Sequence, residues 1–93
     1  MAAESIPVTL YGTAYCPFCV RARALLEHKG VDFTDIDVSD PEDRRAMTER
    51  AGGDHRVPQI FIGDRHVGGC DELMALEQAG ELDRLLRAEH PNP

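Results

Sequence analysis

The 93-residue chain, 10.3 kDa, lies at or just below the roughly 100–200 residues of a typical domain, so a single domain over residues 1–93 with its core at about 6–88 is expected and a two-domain cofactor enzyme is excluded. Hydrophobic residues at 42% and charged residues at 29% place it with soluble globular proteins. Seventeen acidic against ten basic side chains, a net charge of −7, argue against nucleic-acid binding, which needs a positive face, and suit a soluble monomer.

The first strand reads from the alternation of Ile6, Val8 and Leu10 with Pro7, Thr9 and Tyr11, and residues 12–15 form a loop. Cys16-Pro17 then resembles an N-cap followed by proline at the first helical position, with Phe18, Ala22, Leu25 and Leu26 as the apolar stripe and Gly30 as the stop. Residues 31–38 read as a second strand whose apolar phase changes near Thr34-Asp35, predicting a bulge or a frayed end there. Asp40-Pro41 opens a second helix that Gly52-Gly53 closes. The run from Val57 to Ile62 is a buried strand with Pro58 at its mouth, and Gly63-Asp64 turns it into a short edge strand over residues 65–68. Asp71 is the expected cap of a third helix ending at Gly80, Leu82, Leu85 and Leu86 mark a fourth, and residues 91–93 read as a frayed tail.

The order β-α-β-α-β-β-α-α predicts an α/β protein: a strand-helix-strand unit pairs in parallel, a tight turn forces antiparallel pairing, and a four-stranded mixed sheet with helices on both faces results. No apolar run approaches the roughly 18–20 residues of a membrane span, and residues 1–7 lack both a basic and an apolar segment. A cytoplasmic address without membrane contact is therefore expected.

Three cysteines, Cys16, Cys19 and Cys70, cannot build an even disulfide framework, so redox chemistry or metal binding is the alternative. Two cysteines three apart at a helix start are a specific arrangement. The first meets the positive end of the helix dipole, where a thiolate is stabilised and the pKa can drop from about 8.5 to roughly 3.5–7.5. Cys19, one turn on, is placed to attack a mixed disulfide on Cys16, and Arg21 and Arg23 add positive potential if they face the site. Packed core thiols fit poorly, because cysteine as a cap after a loop is a weak packing choice. A zinc site would need about four ligands, and Cys70, His28, His55, His66 and His90 are not paired at ligand spacing.

Three segments in order, Tyr15-Cys16-Pro17-Phe18-Cys19, Val57-Pro58-Gln59-Ile60-Phe61-Ile62 and Gly68-Gly69-Cys70-Asp71-Glu72-Leu73, resemble the dithiol glutaredoxins of the thioredoxin fold, over about residues 6–86. The resemblance implies that Cys16 is the nucleophile and Cys19 the resolving thiol, with no metal and no tightly bound cofactor. It makes glutathione the cosubstrate. Pro58 matches a cis-proline facing the dithiol, and the Val57 main chain matches a strand-like glutathione contact. Gly69, Cys70 and Asp71 match the turn and helix start that hold the γ-glutamyl end, and Arg45 matches a position reaching the glycyl carboxylate. Tyr15 and Phe18 belong to the active-site turn, with Phe18 standing where tyrosine is commoner and keeping the aromatic wall. Thr13 departs from the family, where many members carry lysine, and Arg56 stands where threonine is usual, a candidate to restore the lost charge.

The implied activity is reduction of protein–glutathione mixed disulfides and protein disulfides. Two alternatives stand beside it: an electron donor recharged by thioredoxin reductase, for example to ribonucleotide reductase, and an iron–sulfur cluster carrier, which Pro17 disfavours.

Overall fold

The computed structural model describes residues 6–87; residues 91–93, read as a tail, lie outside them. Eight elements follow in the expected order: β1 (Val8–Gly12), α1 (Pro17–His28), β2 (Thr34–Asp37), α2 (Pro41–Arg50), β3 (Gln59–Ile62), β4 (Arg65–Gly68), α3 (Cys70–Gln78) and α4 (Leu82–Leu86). The strands form one sheet in the order β2-β1-β3-β4. A helix returns the chain between β1 and β2, which run parallel, whereas the β3–β4 turn at Gly63, φ +60°, reverses it, and β3 is antiparallel to both β1 and β4. This is the mixed, helix-covered sheet of the thioredoxin fold.

One face of the sheet carries the main core. Val8 and Leu10 of β1 and Ile60 and Ile62 of β3 point the same way and meet Ala22 and Leu26 of α1, Leu73 of α3, and Leu82 and Leu86 of α4. Full burial of each such large side chain contributes about 1.5–3 kcal/mol before conformational entropy is subtracted. On the opposite face Tyr11 and Phe61 meet edge to face, and Arg50 of α2 lies 4.1 Å over the Phe61 ring while its Nη1 donates to the Tyr11 hydroxyl at 2.9 Å. Among the described residues no helix is long and apolar enough to cross a membrane.

Several boundaries differ from expectation for physical reasons. The change of phase in the second strand is an end and not a bulge: Thr34 to Asp37 pair with β1 in unbroken register, and Val31 and Phe33 pack against the core from outside the strand. The irregular register falls between Ile60 and Phe61, opposite β4. The third strand starts at Gln59, because Pro58 has no N–H to give a ladder. Phe18 does not join the buried stripe of α1, which is Cys19, Ala22 and Leu26; Phe18 is 50% exposed. Asp71 is not the cap of α3. Gly69 takes that place, its N–H donating to Glu72 Oε1 at 2.9 Å, and Asp71 sits inside the first turn.

Asp40 caps α2 as expected, its Oδ1 accepting from the Glu42 N–H at 2.9 Å, with Pro41 at the first helical position. Asp40→Ala is expected to cost about 1 kcal/mol of stability in chemical denaturation, with an unchanged m-value.

Candidate active site

The site forms where β1 ends and α1 begins. Cys16 is the N-cap of α1 with extended backbone, φ −86° and ψ 120°, and Pro17 follows at the first helical position. The Cys16 thiol is partly exposed; Cys19, three residues on and hence on the same face of the helix, is fully buried. Its Sγ accepts the Thr13 N–H at 3.5 Å. Glycine at position 12 makes room for that sulfur, since a Cβ there would lie 2.8 Å from Cys19 Sγ.

These surroundings separate the two thiols. Burial resists ionisation of Cys16, but the Cys19 N–H and thiol, the Phe18 N–H and the Arg23 charge together outweigh it and hold the thiol below the ordinary cysteine value. Burial is also the largest influence on Cys19 and pushes it up, reinforced by the hydrogen bond and charge of Cys16 against the Thr13 N–H and Arg23. Cys16 is thus the more readily ionised of the two thiols. Burial likewise raises Cys70.

Beside this turn runs a groove of about 460 Å³. Of the residues the sequence singled out, Phe18, Arg56, Val57, Pro58, Gly69, Cys70 and Asp71 line it. The Val57–Pro58 peptide is cis. Thr13, Tyr15 and Arg45 are not among the lining residues. Thr13 is buried behind Cys19, and Tyr15 is 78% exposed on the loop before Cys16. Arg45 faces solvent, and Arg44 is the α2 arginine in the groove wall, its Nε donating to the His55 carbonyl at 2.9 Å. The helical period gives the reason: Arg44 shares a stripe with buried Met47 and Ala51, three and seven residues on, and Arg45 is rotated about 100° away. That spacing was available in the sequence.

Arg56 is engaged rather than free: Nε and Nη2 grip the Asp54 carboxylate at 3.0 and 2.9 Å, and the guanidinium beside Asp54 holds that carboxyl far below the usual carboxylate range. Its charge is already answered within its own loop. His55 and Glu72 complete the groove and were not anticipated. Neither was Gln59, 1% exposed, whose Nε2 donates to the Arg56 carbonyl at 2.9 Å while its Oε1 faces His66 Nε2. Because C=O and N–H point oppositely in a trans peptide, anchoring the Arg56 carbonyl turns the Val57 N–H the other way. Among the described residues no three His, Cys, Asp or Glu side chains gather as a metal site.

The signature of the Glutaredoxin family matches residues 8–67. The glutaredoxin of Pseudomonas aeruginosa is 55% identical over 82 residues, covering 88% of this chain and 98% of that protein. The solution structure of glutaredoxin from Brucella melitensis superposes with a TM-score of 0.79 at 49% identity, over 95% of this chain and 96% of that one. The crystal structure of a buckwheat glutaredoxin–glutathione complex superposes with a TM-score of 0.77 at 29% identity, over 87% and 76% of the two chains. A thiol at a helix start whose surroundings favour its ionised form, a buried thiol one turn behind it and kinship along nearly the whole chain lead to one conclusion: the chain belongs to the glutaredoxin family and is a thiol–disulfide oxidoreductase.

Proposed function

We propose that glutathione is the reductant, that Cys16 is the nucleophile and that Cys19 is the resolving thiol. The Cys16 thiolate attacks the glutathionyl sulfur of a mixed disulfide; a Cys16–glutathione bond forms and the substrate protein leaves as a thiolate. A second glutathione thiolate then attacks that sulfur, yielding glutathione disulfide and restoring the Cys16 thiolate. With a protein disulfide, Cys16 forms an intermolecular bond, Cys19 displaces the substrate, and two glutathione molecules reduce the resulting Cys16–Cys19 disulfide. Couples of this type lie at about −200 to −230 mV, within reach of a cytosolic glutathione pool. The cytoplasm is the matching address, and glutathionylated or disulfide-bonded proteins are the matching partners.

The observation that carries this reading is the groove beside Cys16, which brings main-chain and charged groups suited to a short, doubly anionic peptide into one place. Val57 offers backbone pairing as a strand would, the start of α3 offers N–H groups to a carboxylate, and Asp71 offers a carboxylate to an ammonium. Arg44 supplies the cation for the remaining carboxylate. That a buckwheat relative forms a complex with glutathione supports glutathione as the ligand.

The test is a coupled assay with a small glutathione mixed disulfide, glutathione, glutathione reductase and NADPH. Turnover supports the reading; no turnover, with disulfide reduction only when a thioredoxin reductase is supplied, overturns it. Within that assay Arg44→Ala is expected to raise KM for the glutathione substrate about three- to tenfold with kcat little changed, while Arg45→Ala leaves both near wild type. An effect confined to Arg45→Ala would reverse the assignment.

A further inference from the structure

On most of the sheet the positions facing α1 are apolar, but β2 breaks the pattern. Asp35 pairs in register with Leu10 and Asp37 with Gly12, so both carboxylates share the face on which Leu10 meets Ala22 and Leu26 of α1. Two acids on a helix-facing edge call for a cation. Arg23 answers from α1: its Nε donates to Asp35 Oδ2 at 2.6 Å and its Nη2 to the Thr13 carbonyl at 3.2 Å. Ala14, Arg23, Asp35 and Asp37 together line a second hollow behind the loop that precedes Cys16.

The position of Arg23 on the helix ties it to the chemistry. Cys16, Cys19 and Arg23 stand at i, i+3 and i+7, one stripe of α1. The Thr13 residue whose carbonyl Arg23 holds gives its N–H to Cys19 Sγ. The guanidinium therefore links an acidic strand edge to the residue that binds Cys19 Sγ, and its side chain, 19% exposed, is less screened than a surface charge.

We propose that Arg23 and Asp35 form an opposed charge pair that sets the reduction potential of the Cys16–Cys19 couple. Arg23 stabilises the reduced, thiolate-bearing form, and Asp35 holds that influence in check. Arg23 is a positioning residue: it bonds Asp35 and the Thr13 carbonyl rather than a reacting sulfur, and works through its field and through the Thr13 peptide. The direction agrees with the Arg23 charge drawing both thiols down. Asp37, whose carboxylate accepts from the Ser39 N–H and hydroxyl, also acts on Arg23, and on the α3 side Cys70 neighbours Cys16 together with the charges of Arg21, Asp71 and Glu72.

The test uses the full chain and dithiothreitol redox buffers, so that no glutathione recognition enters. The oxidised fraction is read from the mass added by alkylation, and the pH dependence of Cys16 alkylation is followed in parallel. Arg23→Gln is expected to move the alkylation midpoint up and make the couple more reducing, changing its equilibrium constant about two- to fivefold; Asp35→Asn is expected to move both quantities the opposite way by a similar factor. Arg23→Lys, which keeps the charge but not the fork, stays near wild type in the midpoint. Raised salt shrinks the Arg23→Gln and Asp35→Asn shifts. Loosening of the loop alone would move Arg23→Gln and Asp35→Asn in the same direction, and that outcome, or no shift in either, overturns the pair's role. Resting on the reading of Cys16 and Cys19 as the redox couple, the proposal falls with it if wild type forms no Cys16–Cys19 disulfide in these buffers. A wild-type disulfide whose potential ignores both substitutions sinks the charge pair alone.

Discussion

Cys16→Ser is expected to abolish turnover of glutathione mixed disulfides, a loss of several orders of magnitude, because no other thiol in the site is both accessible and held below its ordinary pKa. Cys19→Ser is expected to keep that activity, since attack and release both occur at Cys16, and to lose the reduction of protein disulfides that need a resolving thiol. The pH dependence separates the two steps further. Attack by Cys16 depends on its thiolate, so the rate of deglutathionylation rises with pH only up to the depressed pKa of Cys16 and is level above it. Resolution by Cys19 needs the thiolate of a group whose pKa is raised, first by burial, so that limb continues to rise at higher pH. Once Cys16 is locked in a mixed disulfide, its charge and its thiol hydrogen bond no longer act on Cys19. The resolving thiol then ionises more easily than in the free dithiol, though burial still holds it up. Stopped-flow measurements of each step across pH, on wild type and Cys19→Ser, check the order of the two limbs. A deglutathionylation rate in wild type that climbs through the ordinary cysteine range would contradict the assignment of Cys16.

Gly12→Ala is expected to destabilise the protein by about 1–3 kcal/mol, a fall in Tm of roughly 5–20 °C for a domain of this size. In an open strand the same change would be neutral or helpful, because alanine loses less conformational entropy on folding than glycine. Here the space decides the sign. The new Cβ would lie 2.8 Å from Cys19 Sγ, 3.2 Å from Cys19 Cβ and 3.3 Å from Leu10 Cδ2, with both neighbours fully buried. Something in the thiol's setting must give way, and disulfide geometry tolerates little displacement, so Cys16–Cys19 bond formation is expected to slow as well. Thermal melts of Gly12→Ala, Cys19→Ala and the double variant give the coupling: removing Cys19 Sγ should recover much of the Gly12→Ala loss. A double variant whose losses simply add would place the strain elsewhere.

Much of this architecture is legible from the chain alone because it is encoded locally. Cys16-Pro17 and Asp40-Pro41 announce helix starts through capping chemistry, Gly63-Asp64 announces a hairpin, and the run ending in Ile60, Phe61 and Ile62 announces a buried strand. Element order and the paired thiols follow from such signals, since each depends on a few neighbouring residues. Errors came where local rules left a face or a partner open. Phe18 reads as part of an apolar stripe but looks outward, and Asp71 reads as a cap although Gly69 and Glu72 share that task. Arg45 resembles a ligand residue, yet Arg44 is the one turned to the groove.

The sequence by itself determined the order of elements, the helix-capping Cys16 and the second thiol one turn behind it, because capping, periodicity and turn chemistry act over one or two turns of chain. Tertiary structure alone decided that Gln59 anchors the Arg56 carbonyl and that Arg23 meets Asp35 and Thr13. Arg23 and Asp35 are twelve residues apart, and only the parallel pairing of β1 with β2 brings that acid against α1. A hydrogen bond or field between two elements depends on register and on which face each turns inward, and both are set by the packing of the whole sheet.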